Sequence, residues 1–432
     1  MTIKKRLASL SVAALVAGAL ALSACTGVTD PSAAPTAGQP EGKVSLRYLI
    51  EEPEDAAALK AIEEMIGKFE TDKGIDVKVE SMPFDTMKTV LQTQLRSGDG
   101  PDVFKWGSGQ GFGGSLAEAD LLMDLTEAYS EYKWPVYDFA KEQVTFGGKI
   151  MGVPGTMETV GLFYNKDIFS RLGIAEPKTL ADLKGAAETI KADGKLIPFA
   201  LGDKEGWEGG HLLSIALSSE VGSEGIRKLV AGESSWDSPE VVKALRVWSD
   251  FNDAGYLPKS PTSLTYDAQN ALFLSQKAAM VPTGSWFVDA IQNDAKFQAG
   301  YIPFPAEAGA GIFSAGLGSG PYVSKATKHQ KEALEFVNFL SSQEVGRWTV
   351  QNLTEIPPYP VDTNGLEVSP MFQQVLADTA KMGSGGGDMG LNIDVLMSDT
   401  FNEAMTDGIQ GLLTRQKTPE QVAAAMQAAT EK

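Results

Sequence analysis

Length, composition and charge exclude several classes of protein at the outset. The chain has 432 residues, 43% hydrophobic and 22% charged, an ordinary globular mixture long enough to divide into two cores. Its net charge of −19 at pH 7 argues against nucleic acid or an anionic membrane surface as a partner. The single cysteine, Cys25, leaves no possibility of an intrachain disulfide.

The N-terminal segment has the layout of a secretory signal. Lys4, Lys5 and Arg6 are followed by an apolar stretch over 7–22 that is too short and too rich in alanine to span a bilayer well. The next residues, Leu-Ser-Ala-Cys, resemble the bacterial lipobox, in which the cysteine is acylated and becomes the first mature residue. We therefore predict a signal peptide over 1–24, lipidation of Cys25, and a flexible tether over 25–42 that is rich in proline and small residues.

Strand and helix patterns alternate at the start of the folded part. Apolar runs bounded by glycine and proline predict strands over 44–50, 74–79 and 102–106, and apolar faces at helical spacing predict helices over 56–70 and 85–96. Strands that alternate with helices are typical of a parallel sheet flanked by helices.

The alternation is interrupted and then gives way to helices. The patterns predict strands over 162–164 and 197–200 and helices over 180–191, 239–254, 265–276, 327–341, 342–351, 370–381, 396–413 and 418–430. The sequence has no internal repeat, and no apolar run beyond residue 25 is long enough to span a membrane.

Five segments in order resemble one known family. They are Gly-Pro-Asp-Val-Phe-Lys-Trp at 100–106, Gly-Lys-Ile-Met-Gly-Val-Pro at 148–154 with Leu-Phe-Tyr-Asn-Lys-Asp at 162–167, Lys-Ala-Ala-Met at 277–280 with Gly-Ser-Trp at 284–286, Pro-Phe-Pro at 303–305 with Tyr-Val-Ser-Lys at 322–325, and Glu-Ala-Leu-Glu-Phe at 332–336. Together they resemble the carbohydrate-binding branch of the solute-binding proteins of ABC importers, the extracellular solute-binding family 1 that includes maltose-binding protein.

The resemblance implies an α/β fold of the type II periplasmic-binding-protein class, with a ligand cleft between two lobes joined by hinge segments. The N-terminal lobe would comprise 43–155 and 316–358, and the C-terminal lobe 156–315 and 359–432. The chain would cross between lobes near 154–156, 314–316 and 357–358, where glycine and proline permit defined pivots.

The implied function is capture of a sugar, an oligosaccharide in our prediction, for delivery to the permease subunits of an importer. The implied protein is an extracytoplasmic monomer anchored to the membrane through Cys25, with no catalytic activity, cofactor or metal. A sugar site needs aromatic rings for the flat faces of the sugar and carboxylates that accept hydroxyl protons.

Three tryptophans are candidate stacking platforms. Trp106 ends a strand at the family's aromatic position, and Trp286 follows Gly284-Ser285, where a backbone without bulk leaves room for the ring. Trp207 is expected in a polar turn after a strand, where an exposed indole calls for something to cover it. Trp106 and Trp286 could instead be core residues, and the remaining tryptophans are predicted to be core: 134, 236, 248 and 348.

Five carboxylates are candidate ligand contacts. Glu51 and Glu52 follow the first strand at its C-terminal end, where open α/β sheets bind ligands. Asp85 opens a helix and could serve only as its N-cap. Glu158 and Asp394 match family positions that face the cleft, although Ile393 stands where the family has an aromatic residue.

Other chemical signals are weak. Residues 109–114 and 385–390 fit the spacing of a dinucleotide-binding loop, but the first follows the third strand rather than the opening one and the second follows no strand. His211 and His329 are the only histidines and lie far apart in sequence, which argues against a transition-metal site or a histidine triad.

Two alternatives stay open. A secreted glycosidase needs only two suitably placed carboxylates, and 56 acidic residues always offer a pair. The same fold could instead bind another polar solute, such as a polyol or a glycerophosphodiester. A phosphate group would call for several arginines or lysines in the site.

Overall fold

The alternating strands and helices at the start of the folded part form a small sheet. The computed structural model describes residues 43–53, 56–384 and 388–430, so the predicted signal peptide, Cys25 and tether lie outside the described residues. Strands β1 (Ser45–Glu51), β2 (Asp76–Met82) and β3 (Val103–Gly107) pair in parallel around β1, as the alternation predicted. A later strand, β13 (Ser319–Val323), pairs antiparallel with β3. This four-stranded sheet is the centre of the first lobe.

A six-stranded mixed sheet forms the centre of the second lobe. It contains β6 (Met157–Asn165), β7 (Ile197–Phe199), β8 (Ala278–Gly284), β9 (Ala299–Ile302), β12 (Ser314–Leu317) and β14 (Gly390–Leu391). The nine-residue β6 is its organising strand, because β12 pairs with its first part, β9 with its last part and β8 along its other edge. Two small hairpins complete the described strands: β4 (Thr145–Phe146) with β5 (Lys149–Ile150), and β10 (Phe304–Ala306) with β11 (Gly309–Ile312).

Helices cover both sheets. The described α-helices are α1 (Ala56–Lys73), α2 (Phe84–Ser97), α3 (Ser115–Glu118), α4 (Thr126–Tyr132), α5 (Asp138–Glu142), α6 (Lys166–Leu172), α7 (Leu180–Ala192), α8 (Trp207–Val230), α9 (Pro239–Asp253), α10 (Tyr266–Leu274), α11 (Val288–Asp294), α12 (Gln330–Leu340), α13 (Gln343–Asn352), α14 (Pro370–Ser384), α15 (Ile393–Leu396), α16 (Asp399–Leu413) and α17 (Pro419–Thr430). A π-helical turn, Gln110–Gly114, follows β3, and short 3₁₀ turns occupy Pro261–Ser263 and Ser285–Phe287. Within the described ranges, no helix is long and apolar enough to cross a membrane.

The sequence patterns did not predict α8, the longest described helix. Residues 208–218 of its N-terminal half are buried on all sides, so they show no amphipathic period. The helix also contains several glycines and is kinked at Gly222, whose φ of 70° is outside the helical region. Trp207 is therefore the first residue of a helix and half-buried, which corrects its expected place in an exposed polar turn.

The chain segments that pass between the two sheets lie side by side. The amide of Gly318 donates to the carbonyl of Thr156, and the amide of Met157 donates to the carbonyl of Ile356. The boundary predicted between 315 and 316 falls inside β12, all of whose residues pair with β6, and the chain next enters the first sheet at Ser319. The full set of lobe boundaries stays a prediction.

Candidate functional site

A large cleft lies between the two sheets. Its volume is about 1400 Å³, and both lobes line it. Every candidate ligand residue from the sequence is on its wall: Glu51, Glu52, Asp85, Trp106, Glu158, Trp207, Trp286 and Asp394. The structure thus brings all eight together in one cavity, and their role in binding a ligand stays a prediction.

Trp286 is held in the cleft by its neighbours in the second lobe. It lies in the 3₁₀ turn directly after β8 and is half-buried, and its indole Nε1 donates to the Tyr266 hydroxyl over 2.9 Å. A Cβ at Gly284 would lie 1.9 Å from the Trp286 ring, so only glycine leaves room for this ring position. This agrees with the reason for which the sequence singled out Gly284-Ser285-Trp286.

Trp286 belongs to an aromatic group that we call the second-lobe cluster: Trp207, Tyr266 and Trp286. The centroid of the Trp207 ring lies 4.9 Å from that of Tyr266 and 6.3 Å from that of Trp286. Trp207 and Tyr266 are the first residues of α8 and α10, so two helix starts and a strand end converge on one wall of the cleft.

A second aromatic group, the first-lobe cluster, contains Phe84, Trp106 and Phe112. The Trp106 centroid lies 5.5 Å from that of Phe84 and 5.9 Å from that of Phe112. Trp106 is only 6% exposed, and its Nε1 has no hydrogen-bond partner among the described residues. Trp106 is therefore both a core side chain and part of the cleft wall. The two alternatives that the sequence offered for it do not exclude each other.

Glu158 is the most strongly perturbed carboxylate of the cleft. It lies on β6 opposite Gly316, and burial raises its pKa to about 8. Of the nearby charges, that of His211 opposes the rise, whereas those of Glu355, Glu51 and Asp394 add to it. Near neutral pH the Glu158 carboxyl group can therefore donate a proton as well as accept one in a hydrogen bond.

The other predicted carboxylates occupy the rims of the cleft. Glu51 ends β1 and Glu52 follows it, and both side chains are exposed. Asp85 is an exposed residue in the first turn of α2, and the N-cap position belongs to Pro83, so the suggestion that Asp85 caps the helix was wrong. Asp394 lies at the start of α15, and its Oδ1 is buried without a hydrogen-bond partner in the described part of the chain.

Several cleft residues were missed by the sequence analysis. Trp348 was predicted to be core, but it is half-buried and lines the cleft, whereas Trp134, Trp236 and Trp248 are buried as predicted. Tyr266 is an aromatic residue at the start of the helix predicted over 265–276, and that position could have singled it out. His211 follows Trp207 by one helical turn, a spacing that becomes visible only once α8 is known.

The cleft is strongly acidic. In the part of the chain that the structure describes, twelve Asp and Glu residues line it against two lysines, Lys88 and Lys105, and no arginine. Lys105 pairs with Glu355 at 3.8 Å, and Lys88 lies 5.9 Å from the centre of the Phe84 ring. No group of three His, Cys, Asp or Glu residues within 43–53, 56–384 and 388–430 could hold a metal ion.

Sequence comparison places the chain among transport proteins. The sequence model of the bacterial extracellular solute-binding proteins matches residues 52–347. The multiple sugar-binding protein of Streptococcus mutans serotype c is 30% identical over 397 residues, covering 86% of this chain and 89% of that protein. The maltodextrin-binding protein MdxE of Bacillus subtilis is 26% identical over 373 residues, covering 82% of this chain and 81% of that protein.

Solved structures share the fold. A structure from work on xylan utilization by the thermophilic bacterium Caldanaerobius polysaccharolyticus superposes with a TM-score of 0.81 at 23% identity, over 89% of this chain and 99% of that one. A chitin oligosaccharide binding protein gives a TM-score of 0.77 at 24% identity, over 90% and 98%. These likenesses confirm the predicted two-lobed α/β fold. The match over 52–347 and the 30% identity to the multiple sugar-binding protein establish that this chain belongs to the bacterial extracellular solute-binding protein family.

Proposed function

We propose that this protein captures an oligosaccharide in the cleft between its lobes and delivers it to the permease of an ABC importer. One observation carries the proposal: two aromatic clusters from opposite lobes face a single cavity that also contains many carboxylates. Aromatic rings match the apolar faces of sugar rings, and carboxylates accept pairs of hydroxyl protons. The names of the sugar-binding relatives support the same ligand class.

The size of the cleft supports an oligosaccharide rather than a single sugar. Pockets for drug-sized ligands measure roughly 300–1,000 Å³, and this cleft measures about 1400 Å³. Its charge supports a ligand without phosphate, because twelve carboxylates against two lysines would repel an anion. A glycerophosphodiester is therefore disfavoured, and a polyol would leave much of the aromatic surface uncovered.

Binding without catalysis is the second part of the proposal. The acidic lining would supply the two carboxylates of a glycosidase, but the curated relatives described above are binding proteins. We expect the bound sugar to be released unchanged.

A ligand panel tests both parts. Calorimetric titration with malto-, xylo-, galacto- and chito-oligosaccharides, a polyol and a glycerophosphodiester should give binding by at least one oligosaccharide and none by the phosphodiester. Mass spectrometry of the ligand after long incubation should show an unchanged chain length. Binding of the phosphodiester alone would contradict the proposed ligand class. Shortened sugar products would show that the protein is an enzyme.

We also propose that the protein works as a monomer held at the outer face of the cell membrane by a lipid on Cys25. Cys25→Ala should abolish the lipid modification, because acylation of the lipobox requires the cysteine thiol. Intact-mass analysis of protein from the producing cell would detect the loss of the lipid mass. Ser23→Thr is a conservative control, because it leaves the Cys25 thiol in place. The same lipid increment in the Cys25→Ala variant would contradict the proposed anchor.

A further inference from the structure

His211 lies at the centre of a buried polar chain behind the second-lobe cluster. The residue is only 7% exposed, yet it lines the cleft. Its ring centroid lies 5.4 Å from those of both Trp207 and Trp286, so both proposed stacking platforms rest against it.

Two carboxylates flank the imidazole at opposite nitrogens. His211 Nδ1 lies 3.8 Å from Glu208 Oε2, and Nε2 lies 3.9 Å from Asp394 Oδ2. Glu208 is itself fixed, because its Oε1 accepts hydrogen bonds from Thr283 Oγ1 at 2.9 Å and from Gln269 Nε2 at 3.3 Å. The chain of contacts therefore runs from the rigid β8 and α10 through Glu208 and His211 to Asp394.

At the cleft, this row of contacts ends at Asp394, which has a hydrogen-bond acceptor without a partner among the described residues. Asp394 Oδ1 is buried without a hydrogen-bond partner among the described residues, and Asp394 lines the cavity. A buried carboxylate oxygen without a partner is costly, and a ligand hydroxyl would satisfy it.

We propose that His211 is a positioning residue, whose protonated ring holds Asp394 ready to accept ligand hydroxyls and so makes sugar affinity depend on pH. This inference rests on the proposed sugar-binding function. At 3.8 and 3.9 Å these two contacts are longer than hydrogen bonds, so an imidazolium acts on Glu208 and Asp394 through its positive charge, which a neutral imidazole lacks. Loss of the proton therefore removes the charge that holds both carboxylates in place.

The charges around His211 favour the protonated ring. Burial alone lowers the pKa of His211, but the Glu208 carboxylate beside it and the charges of Asp394 and Glu158 outweigh burial, so the pKa is raised above 6.5. Asp203, in the loop before α8, also faces this group, and burial raises its pKa to about 7. We therefore expect sugar to bind tightly at low pH and more weakly as pH rises through the pKa of His211.

The first test needs no ligand. The chain has two histidines, so the NMR titration of their imidazole carbons gives two resolvable curves. We expect the pKa of His211 to lie above that of a model imidazole, and Asp394→Asn to lower it. An unchanged pKa in Asp394→Asn would overturn the proposed pairing, even if His211→Gln failed to fold.

The second test measures affinity against pH. Calorimetry with the oligosaccharide found in the panel, between pH 5 and 9, should show wild-type affinity falling roughly 3- to 10-fold as pH rises, as expected for loss of one charge contact near a protein surface. His211→Gln should be weaker at low pH and lose this dependence. His329→Gln removes the other histidine, which is half-exposed at the start of α12, and should behave as wild type.

Asp203 and Glu158 titrate in the same window, and a control variant separates the effect of Glu158. The pKa of Glu158, about 8, lies within the pH range of the titration. The pH dependence of sugar affinity is therefore also compared between the single variant Glu158→Gln and the double variant Glu158→Gln/His211→Gln. Any dependence that persists in His211→Gln belongs to Asp203 or Glu158, and equal profiles with and without His211 would overturn the inference. If no sugar binds, the proposed function fails instead, while the NMR result still decides whether His211 is paired.

Discussion

Trp286 is the residue at which the proposed function can be tested most sharply. Its ring lines the cleft and also packs against two clusters of buried hydrophobic residues. We expect Trp286→Ala to weaken sugar affinity by ~1–3 kcal/mol, because stacking and apolar contact with the ligand are lost. Calorimetry reports the affinity, and thermal unfolding of the ligand-free protein reports the cost to the fold.

Trp248 provides the matched control for this substitution. It is 1% exposed and its Nε1 donates to the carbonyl of Leu212 in the core. Trp248→Ala should cost ~3–5 kcal/mol of folding stability, more than Trp286→Ala. Near-normal affinity in Trp286→Ala together with a stability loss as large as that of Trp248→Ala would assign Trp286 to the core alone.

At this scale all eight candidate residues from the sequence line the cleft, and their role in binding stays a prediction. Glu51 and Glu52 were recognised from their place after a strand, whereas Glu158 and Asp394 were recognised only through the family resemblance. His211 was missed because its partners, Glu208 and Asp394, come together only when α15 packs on α8. Trp348 was missed because a half-buried face of α13 cannot be told from a buried one by spacing alone.

Among the secondary-structure elements, the π-helical turn Gln110–Gly114 makes a direct contact between the lobes. It belongs to the first lobe and lies against α15 and the start of α16 in the second lobe. A Cβ at Gly111 would lie 2.6 Å from the carbonyl oxygen of Asp394 and 2.7 Å from Asn402 Nδ2. Beside this contact, Ser115 Oγ donates to Asp399 Oδ2 over 2.7 Å.

We therefore expect Gly111→Ala to destabilise the closed arrangement of the lobes. Crowding of this kind costs ~1–3 kcal/mol and applies only while the two segments touch, so sugar affinity should fall while the melting temperature of the ligand-free protein changes little. Gly185→Ala in α7 is the control, because its Cβ would meet nothing within 4 Å. That variant should keep full affinity and gain ~0.5–1 kcal/mol of stability. Unchanged affinity in Gly111→Ala would show that this contact has no part in closure.

The elements differ in how far the sequence predicted them. Helices with one apolar face, such as α1, α7 and α9, begin and end close to their predicted bounds. The helix α8 and the strands β8, β9, β12 and β13 escaped prediction, because wholly buried segments lack a period and short strands depend on partners far away in sequence.

The whole molecule should respond to its ligand by closing. Two lobes connected by short, adjacent segments can rotate, and a ligand that contacts both lobes binds the closed form better than the open form. Small-angle X-ray scattering should show a smaller radius of gyration with a bound oligosaccharide than without it, and Gly111→Ala should reduce this change. An unchanged radius with a saturating ligand would contradict the two-lobed clamp.

The pairing of distant strands has a consequence for how the chain acquires its structure. The first sheet lacks its edge strand until β13 (Ser319–Val323) has been made, and β6 lacks β12 until residue 317. A chain that emerges from its N-terminus, from a ribosome or through a membrane pore, cannot complete the first sheet before residue 323 or the second before β14 (Gly390–Leu391). Long-range pairing of this kind slows folding, and each truncated intermediate exposes unpaired strand edges that invite aggregation. The topology therefore leaves both sheets incomplete, with strand edges open to binding by chaperones, for most of the synthesis of the chain.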